Sequence, residues 1–364
     1  MMRATQALID LSAIKHNLRH AKNLAPKARC VAVVKADAYG HGAIPVARAI
    51  ADDCDALAVA CLEEALELRE SGITAPILVL EGVCHQESLQ TAVTHQLCLM
   101  IHSEAQLSAL ENSRINAPLN CWVKIDSGMH RLGFPPADIT EVIARLQHCV
   151  NCKGITLATH FASADEPELA QTNRQIELFE QTTTPFALAR SAANSAGVLA
   201  FPRAHYEWIR PGYMLYGNSP FAQDIDTARA LCPAMYFQCE VIALHHVVKG
   251  ETVGYSSTWQ AQRDSLIATL NAGYADGYPR AAENGTPVLI HGQRAPLAGR
   301  VSMDMITVDV SDIANVKPGD SAVLWGKQDR AVLSADEVAQ HANTIGYELT
   351  TRMPPRTPRR YINP

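Results

Sequence analysis

The 364-residue chain predicts an α/β fold, a (β/α)8 TIM-like barrel over residues 1–230 followed by a mostly β C-terminal domain over 231–364. Three observations predict it. Short apolar runs alternate with helix-patterned stretches over the first ~220 residues, close to the ~250 residues typical of such barrels. That rhythm stops near 222–230. After Pro233 the residues alternate apolar with polar, and glycine–proline turns recur, as in an all-β unit.

Taken in order, Leu8, Ile9, Leu11, Ile14 and Leu18 read as a strand passing into an amphipathic helix, the strand being placed to pair with the β domain. Eight apolar runs follow at 31–34, 56–60, 77–80, 97–101, 121–125, 155–159, 190–194 and 206–209. Helical patterns lie between them at 44–51, 62–71, 86–94, 103–112, 139–149 and 168–182. Within 62–71, the order Glu63, Glu64, Glu67, Arg69 predicts an exposed helix with charge pairs. An open doubly wound sheet is the competing architecture, but no G-x-G-x-x-G follows the first strand. In the second half, strands are predicted at 235–244, 266–270, 287–290, 305–310 and 321–324, with one helix at 334–343 capped by Ser334.

A net charge of −6 leaves no electrostatic footprint for nucleic acid or an anionic membrane. No signal-peptide core and no apolar run near the ~20 residues of a membrane span is present, so a cytoplasmic protein is expected. The ten cysteines are scattered and read as core thiols. Cys149 and Cys152 form a lone C-x-x-C, too little for a zinc site, and no metal is expected. His245 and His246, on an alternating segment, are read as one inward and one outward side chain.

The chemistry-bearing residues fall at the ends of the apolar runs. Lys35 ends the first; a doubly buried strand has no room for an ammonium group, so it belongs where the strand emerges. A partly desolvated lysine there suits a Schiff-base former or general base, with a snorkelling surface lysine as the plainer reading. Lys124 and Asp126 end the fifth run, followed by Arg131. His160 ends the sixth, Asn194 and Ser195 the seventh, and Arg210 with Gly212 the eighth. Singly, each has a packing or capping explanation. Together they put polar groups at one rim, where barrels of this kind do chemistry. The last two strand ends are where such barrels hold phosphate. A reactive lysine facing a phosphate cradle suggests pyridoxal 5′-phosphate.

The stretch from Val33 to Gly42, V-V-K-A-D-A-Y-G-H-G, closely resembles the cofactor-attachment signature of alanine racemases. The resemblance continues through K-I-D-S-G-M-H-R-L-G at 124–133, T-H-F-A-S-A-D at 159–165 and R-P-G-Y-M-L-Y-G at 210–217. It runs on through V-G-Y-S at 253–256, A-G-Y-A-D-G-Y at 272–278 and G-R-V-S-M-D at 299–304. It implies a pyridoxal-phosphate enzyme interconverting L- and D-alanine, supplying D-alanine for peptidoglycan or acting in alanine catabolism.

By the same resemblance, Lys35 attaches the cofactor and is one catalytic base. Tyr255, from the partner subunit of a homodimer with shared sites, is the other. Tyr39, Asn194, Ser195, Gly212, Tyr213 and Tyr347 would hold the cofactor, chiefly its phosphate. His160 would stack on the pyridine ring and Arg210 would donate to its nitrogen. Arg131, Met303, Asp304 and Tyr274 would contact substrate, with Asp165, Arg280 and Arg300 at the entrance. Lys124 matches a lysine often carbamylated in the family, which would suit a group beside Arg131. Racemisation needs a base on each face of the substrate Cα, each able to return a proton. An arginine hardly ever gives up its proton, so at the pyridine nitrogen it donates a hydrogen bond and leaves the ring a weaker electron sink. The alternatives are a racemase of broader specificity, a basic amino-acid decarboxylase, and a non-catalytic pyridoxal-phosphate carrier. An arginine where decarboxylases place an acid speaks against the decarboxylase, and the β domain with Tyr255 against the carrier.

Overall fold

The computed structural model describes residues 4–363. All eight apolar runs are parallel strands of one closed barrel: Arg29–Val33, Ala56–Val59, Ile77–Val79, Leu97–Ile101, Leu119–Lys124, Cys152–Ala158, Ala189–Ser191 and Trp208–Ile209. The last closes on the first, Arg29 opposite Trp208 and Cys30 opposite Ile209. Ala56–Val59 and Ile77–Val79 are buried at every position, which is why they read as unbroken apolar runs. Helices Ala43–Ile50, Leu62–Glu70, Gln86–Thr94, Glu104–Asn112, Ile139–His148 and Ala170–Thr183 occupy the predicted intervals, and a short helix, Ser195–Ala200, follows the seventh strand.

The first strand of the chain, Gln6–Asp10, lies outside the barrel. It pairs antiparallel with Met235–Val247, Gln6 opposite Gln238, and parallel with Arg359–Ile362. The helix that follows, Leu11–Leu24, is capped by Asp10, whose Oδ1 accepts the amides of Ser12 at 3.0 Å and Ala13 at 3.2 Å. Around Met235–Val247 the β domain adds Ser265–Leu270, Pro287–Ile290, Gln293–Pro296, Ile306–Asp309 and Ser321–Gln328. Ser334 caps helix Ala335–Gln340 through the Glu337 amide at 3.0 Å, as expected, but the helix ends before 343. A further helix, Gly346–Thr351, was not apparent from the sequence pattern. No helix among the described residues is long and apolar enough to cross a membrane.

Two local expectations are corrected. His245 and His246 are both exposed. The register shifts between Val241 and Ala243, and such a bulge re-aims the strand, ending the regular in–out alternation. Glu64 does not pair on a helix surface. Its two carboxylate oxygens accept the backbone amides of Ala36 and Ala60, each at 2.7 Å. Arg69 donates instead to the carbonyls of Ile73, Ala75 and His95. Backbone groups at strand ends need partners, and these long side chains supply them.

Candidate active site

Lys35 leaves the first barrel strand and opens an unusual turn. Ala36, Asp37, Ala38 and Tyr39 all have φ near 53°, four consecutive non-glycine residues in the left-handed region. Each such residue costs on the order of 1–2 kcal/mol, so the turn persists only because its surroundings fix it. Glu64 holds the Ala36 amide. Asp37 accepts the Ala43 amide at 2.7 Å and pairs with Arg359 at 3.1 Å. The buried His41 hydrogen-bonds through Nδ1 to the carbonyls of Ala38 at 3.1 Å and Tyr39 at 3.0 Å. Burial holds that imidazole down to about 4, so it is neutral near pH 7 and its Nδ1–H donates.

The turn aims Lys35 and Tyr39 into a cavity of about 560 Å³ at the carboxyl ends of the barrel strands. Lys124, Arg131, His160, Asn194, Ser195, Arg210, Gly212, Tyr213 and Tyr347 share its wall. Arg131 rides on a loop folded back on its strand: the Phe134 amide bonds the Lys124 carbonyl, and the Asp126 amide bonds the Phe134 carbonyl, both at 2.9 Å. The Asp126 carboxylate pins the loop through the amides of Gly128 and His130, each at 3.0 Å. His160 is set by Gln175, which donates to the His160 carbonyl at 3.1 Å and accepts the Ala162 amide at 2.9 Å. Nothing in the sequence pattern marked Gln175, since a glutamine inside an amphipathic helix reads as surface.

Arg210 is buried and immobilised, donating to Ser191 Oγ at 2.5 Å and to the carbonyls of Thr159 at 2.6 Å and Ala192 at 3.2 Å. At the far wall Ser195 Oγ accepts the amides of Gly212 at 3.0 Å and Met214 at 3.2 Å. Asn194 caps the short helix through the Gly197 amide at 2.9 Å. A Cβ on Gly212 would lie 2.5 Å from Tyr39 Oη, so only glycine leaves the hydroxyl its place. Tyr213 and Tyr347 stack at 3.5 Å between centroids, with Tyr39 6.1 Å from the Tyr347 ring. The Tyr213 hydroxyl is committed to Asp336 at 2.6 Å.

The cavity is cationic and dry enough to shift its groups. Burial, then Arg131, lowers Lys35, against Glu64 and Glu81. Burial, Arg210 and Arg131 bring Lys124 down to about 7, so a large share of it is neutral amine near neutral pH. Burial and the same cations keep His160 well below the usual imidazole range, hence uncharged. Burial alone brings Arg210 to about 10, still protonated. Such a cavity favours an anionic ligand and supplies unprotonated amines.

The remaining sequence-selected residues do not line this cavity. Tyr255 lies on the turn Tyr255–Ser257 of the β domain and is 70% exposed. Met303 is also exposed, and its loop is stitched to that of Tyr274: the Tyr274 amide bonds the Ser302 carbonyl and the Ala275 amide the Met303 carbonyl, both at 3.0 Å. Arg300 is beside Gly254, one residue from Tyr255. Asp304 accepts from Arg356 at 2.5 Å. Tyr274 and Arg280 line a second cavity of about 510 Å³ against Ala342–Thr344 and Arg352. Burial first, then Tyr39 and Asp165, push the Tyr347 hydroxyl up, which puts Asp165 near that ring. Tyr255, Tyr274 and Met303 are thus exposed side chains of the β domain, and none of them lines the lysine cavity of their own chain.

Residues 9–220 match the alanine racemase N-terminal domain and residues 234–361 the C-terminal domain. The chain belongs to the alanine racemase family. It is 47% identical over 359 residues to an alanine racemase of Nitrosococcus oceani, covering 98% of this chain and 99% of that one. To a catabolic alanine racemase of Pseudomonas putida it is 45% identical over 361 residues, 99% of each chain. The crystal structure of the biosynthetic alanine racemase of Pseudomonas aeruginosa superposes over the whole of both chains with a TM-score of 0.95 at 48% identity. Biosynthetic and catabolic members of the family therefore resemble this chain almost equally.

Proposed function

We propose that this protein interconverts L- and D-alanine with pyridoxal phosphate as cofactor and two bases drawn from different subunits. The observation that carries this reading is the split of the chemistry. Lys35 sits with Arg131, His160 and Arg210 in the barrel cavity, and Tyr255 stands exposed on a different surface of the same chain.

The donor set fits the cofactor. Ser195, Gly212, Tyr213, Tyr39 and Tyr347 line one part of the cavity, and a Cβ on Gly212 would press on the Tyr39 hydroxyl, so the glycine keeps that hydroxyl in place for a phosphate. Arg210, locked by Ser191, Thr159 and Ala192, would donate to the pyridine nitrogen, and His160 would lie against the ring. Asn194 supports the cradle by capping the helix that begins at Ser195. When bound, pyridoxal phosphate supplies an aldehyde for the amine and a conjugated ring that spreads negative charge from Cα.

The residues do the rest. Lys35, lowered by burial and Arg131, holds the cofactor and moves a proton at one face of the substrate Cα. Tyr255 Oη of the partner subunit moves it at the opposite face. Arg131 binds the substrate carboxylate from the cavity wall, while Met303, Asp304 and Tyr274 of the partner line the substrate's other side. Asp165, Arg280 and Arg300 flank the way in. A carbamate on Lys124 would turn a cation beside Arg131 into an anion and fix the guanidinium. An isologous dimer then carries two such sites.

The test is racemisation of L-alanine in D₂O by the purified holoenzyme. Release of D-alanine with deuterium at Cα supports the proposal. An amine product, or no exchange at Cα, overturns it.

A further inference from the structure

Behind the cavity wall three buried polar side chains meet: Gln175, Ser127 and Thr159. None of them lines the cavity. Gln175 comes from helix Ala170–Thr183, Thr159 directly precedes His160, and Ser127 follows Asp126 in the loop that carries Arg131. A glutamine is rarely buried to this degree, and its amide then has to be satisfied, so its bonds show what it serves.

The donors can be assigned one by one. The Ala162 amide donates to Gln175 Oε1 at 2.9 Å, which fixes the orientation of the side-chain amide. Its Nε2 donates to the His160 carbonyl at 3.1 Å and to Ser127 Oγ at 3.2 Å. Thr159 donates its one hydroxyl hydrogen to the Ile125 carbonyl at 2.9 Å. The 2.7 Å contact between Ser127 Oγ and Thr159 Oγ1 is therefore donated by Ser127. The result is a one-way chain from Gln175 through Ser127 and Thr159 to the Ile125 backbone. The Thr159 carbonyl in turn accepts Arg210 Nη2 at 2.6 Å. One turn earlier on the helix, Gln171 donates to the Gly128 carbonyl at 3.3 Å, so residues four apart on one helix face hold the start of the loop.

We propose that Gln175, acting through Ser127 and Thr159, is a positioning residue that locks the Arg131 loop to the His160 strand end. This rests on the roles proposed for Arg131 at the substrate carboxylate and His160 at the ring. The reacting Cα lies between those two contacts. A loop free to shift would misplace the carboxylate against the ring, and an error of about 1 Å can cost on the order of 10²-fold in rate. Ser127 serves the loop side alone, whereas Gln175 serves both sides, so their losses have different signatures.

The experiment measures steady-state kinetics for alanine in both directions, and amide hydrogen exchange of the purified protein, for wild type, Ser127→Ala, Gln175→Met and the double variant. Ser127→Ala removes one link and leaves both Gln175 bonds to the backbone of His160 and Ala162. It raises KM about fivefold or more with kcat within about threefold, and speeds exchange over residues 126–134 alone. Gln175→Met keeps the side chain's length and removes its amide bonds. It raises KM as much, lowers kcat about tenfold or more, and speeds exchange over both 126–134 and 160–164. The double variant matches Gln175→Met, because the two residues serve one chain. Wild-type KM and exchange in Ser127→Ala overturn the proposal. So does a kcat loss without a rise in KM in Gln175→Met, or KM effects that multiply in the double variant. Exchange is read without turnover, so a protein that did not racemise alanine would sink the proposed activity while the exchange pattern still decided the positioning role.

Discussion

Glu64 accepts the amide of Ala36, the residue after the cavity lysine, at 2.7 Å, and its second oxygen holds the amide of Ala60 at the next strand end. One carboxylate thus ties the left-handed turn behind Lys35 to the barrel. Glu64→Gln replaces one acceptor by a donor facing an N–H. Losing a hydrogen bond to a charged acceptor is worth about 1.5–3 kcal/mol. The expected outcome is a fall in kcat of about tenfold or more with KM for alanine little changed, read from steady-state kinetics in both directions. An unchanged kcat would show that the turn is held without Glu64.

Gly212 faces Tyr39 Oη closely enough that any side chain must displace the hydroxyl. Overpacking of this kind typically costs about 1–3 kcal/mol. Gly212→Ala is therefore expected to weaken pyridoxal phosphate binding by about tenfold or more, measured by fluorescence titration of the apoprotein. Equal affinity would place the phosphate elsewhere.

Lys124, brought to about 7 by burial and its arginine neighbours, holds enough neutral amine at pH 7 to add to carbon dioxide. Protein equilibrated with carbon-13 bicarbonate should show a carbamate carbon by NMR. The signal should vanish in Lys124→Ala and on acidification, which protonates the amine. Its absence from the wild type would leave a bare lysine beside Arg131.

Asp336 is a half-buried carboxyl pushed up to about 6 by desolvation, despite the Tyr213 hydroxyl. A raised carboxyl binds its proton more tightly folded than unfolded. Its stabilising effect is complete below about pH 4 and is lost as pH rises through about 6. At roughly 1.4 kcal/mol per unit the loss is up to about 3 kcal/mol. Asp336→Asn keeps an acceptor for Tyr213 and should flatten this part of the stability curve in urea unfolding at a series of pH values. An identical slope in both proteins would assign the pH dependence to other groups.

How much of this was legible in the sequence follows from what each part is made of. The barrel strands are buried on both faces, so Ala56–Val59 and Ile77–Val79 appear as plain apolar runs with polar residues at their ends. Lys35, His160 and Arg210 could be placed at the rim on that basis alone. The turn Ala36–Tyr39 could not, because left-handed backbone is announced by glycine or asparagine, and here a long-range bond from Glu64 and local bonds from Asp37 and His41 impose it on other residues. Glu64 read as a helix-surface charge because its partners are backbone amides at two strand ends, Ala60 just before its own helix and Ala36 on the neighbouring strand's turn. The helix Gly346–Thr351, which carries Tyr347, is too short to show a period. Tyr255, exposed in its own chain, was singled out only by family resemblance, since nothing local distinguishes it from a surface tyrosine.

The central claim is that each site takes Lys35 from one chain and Tyr255 from the other. It is tested most directly by co-expressing Lys35→Ala and Tyr255→Phe chains with different tags and assaying the mixed dimers. Each variant alone should be nearly inactive. A heterodimer should hold one intact site and one doubly altered site, so an equal mixture should recover roughly a quarter of wild-type racemisation. No recovery in purified heterodimers, or full activity in both directions for Tyr255→Phe alone, would contradict the account.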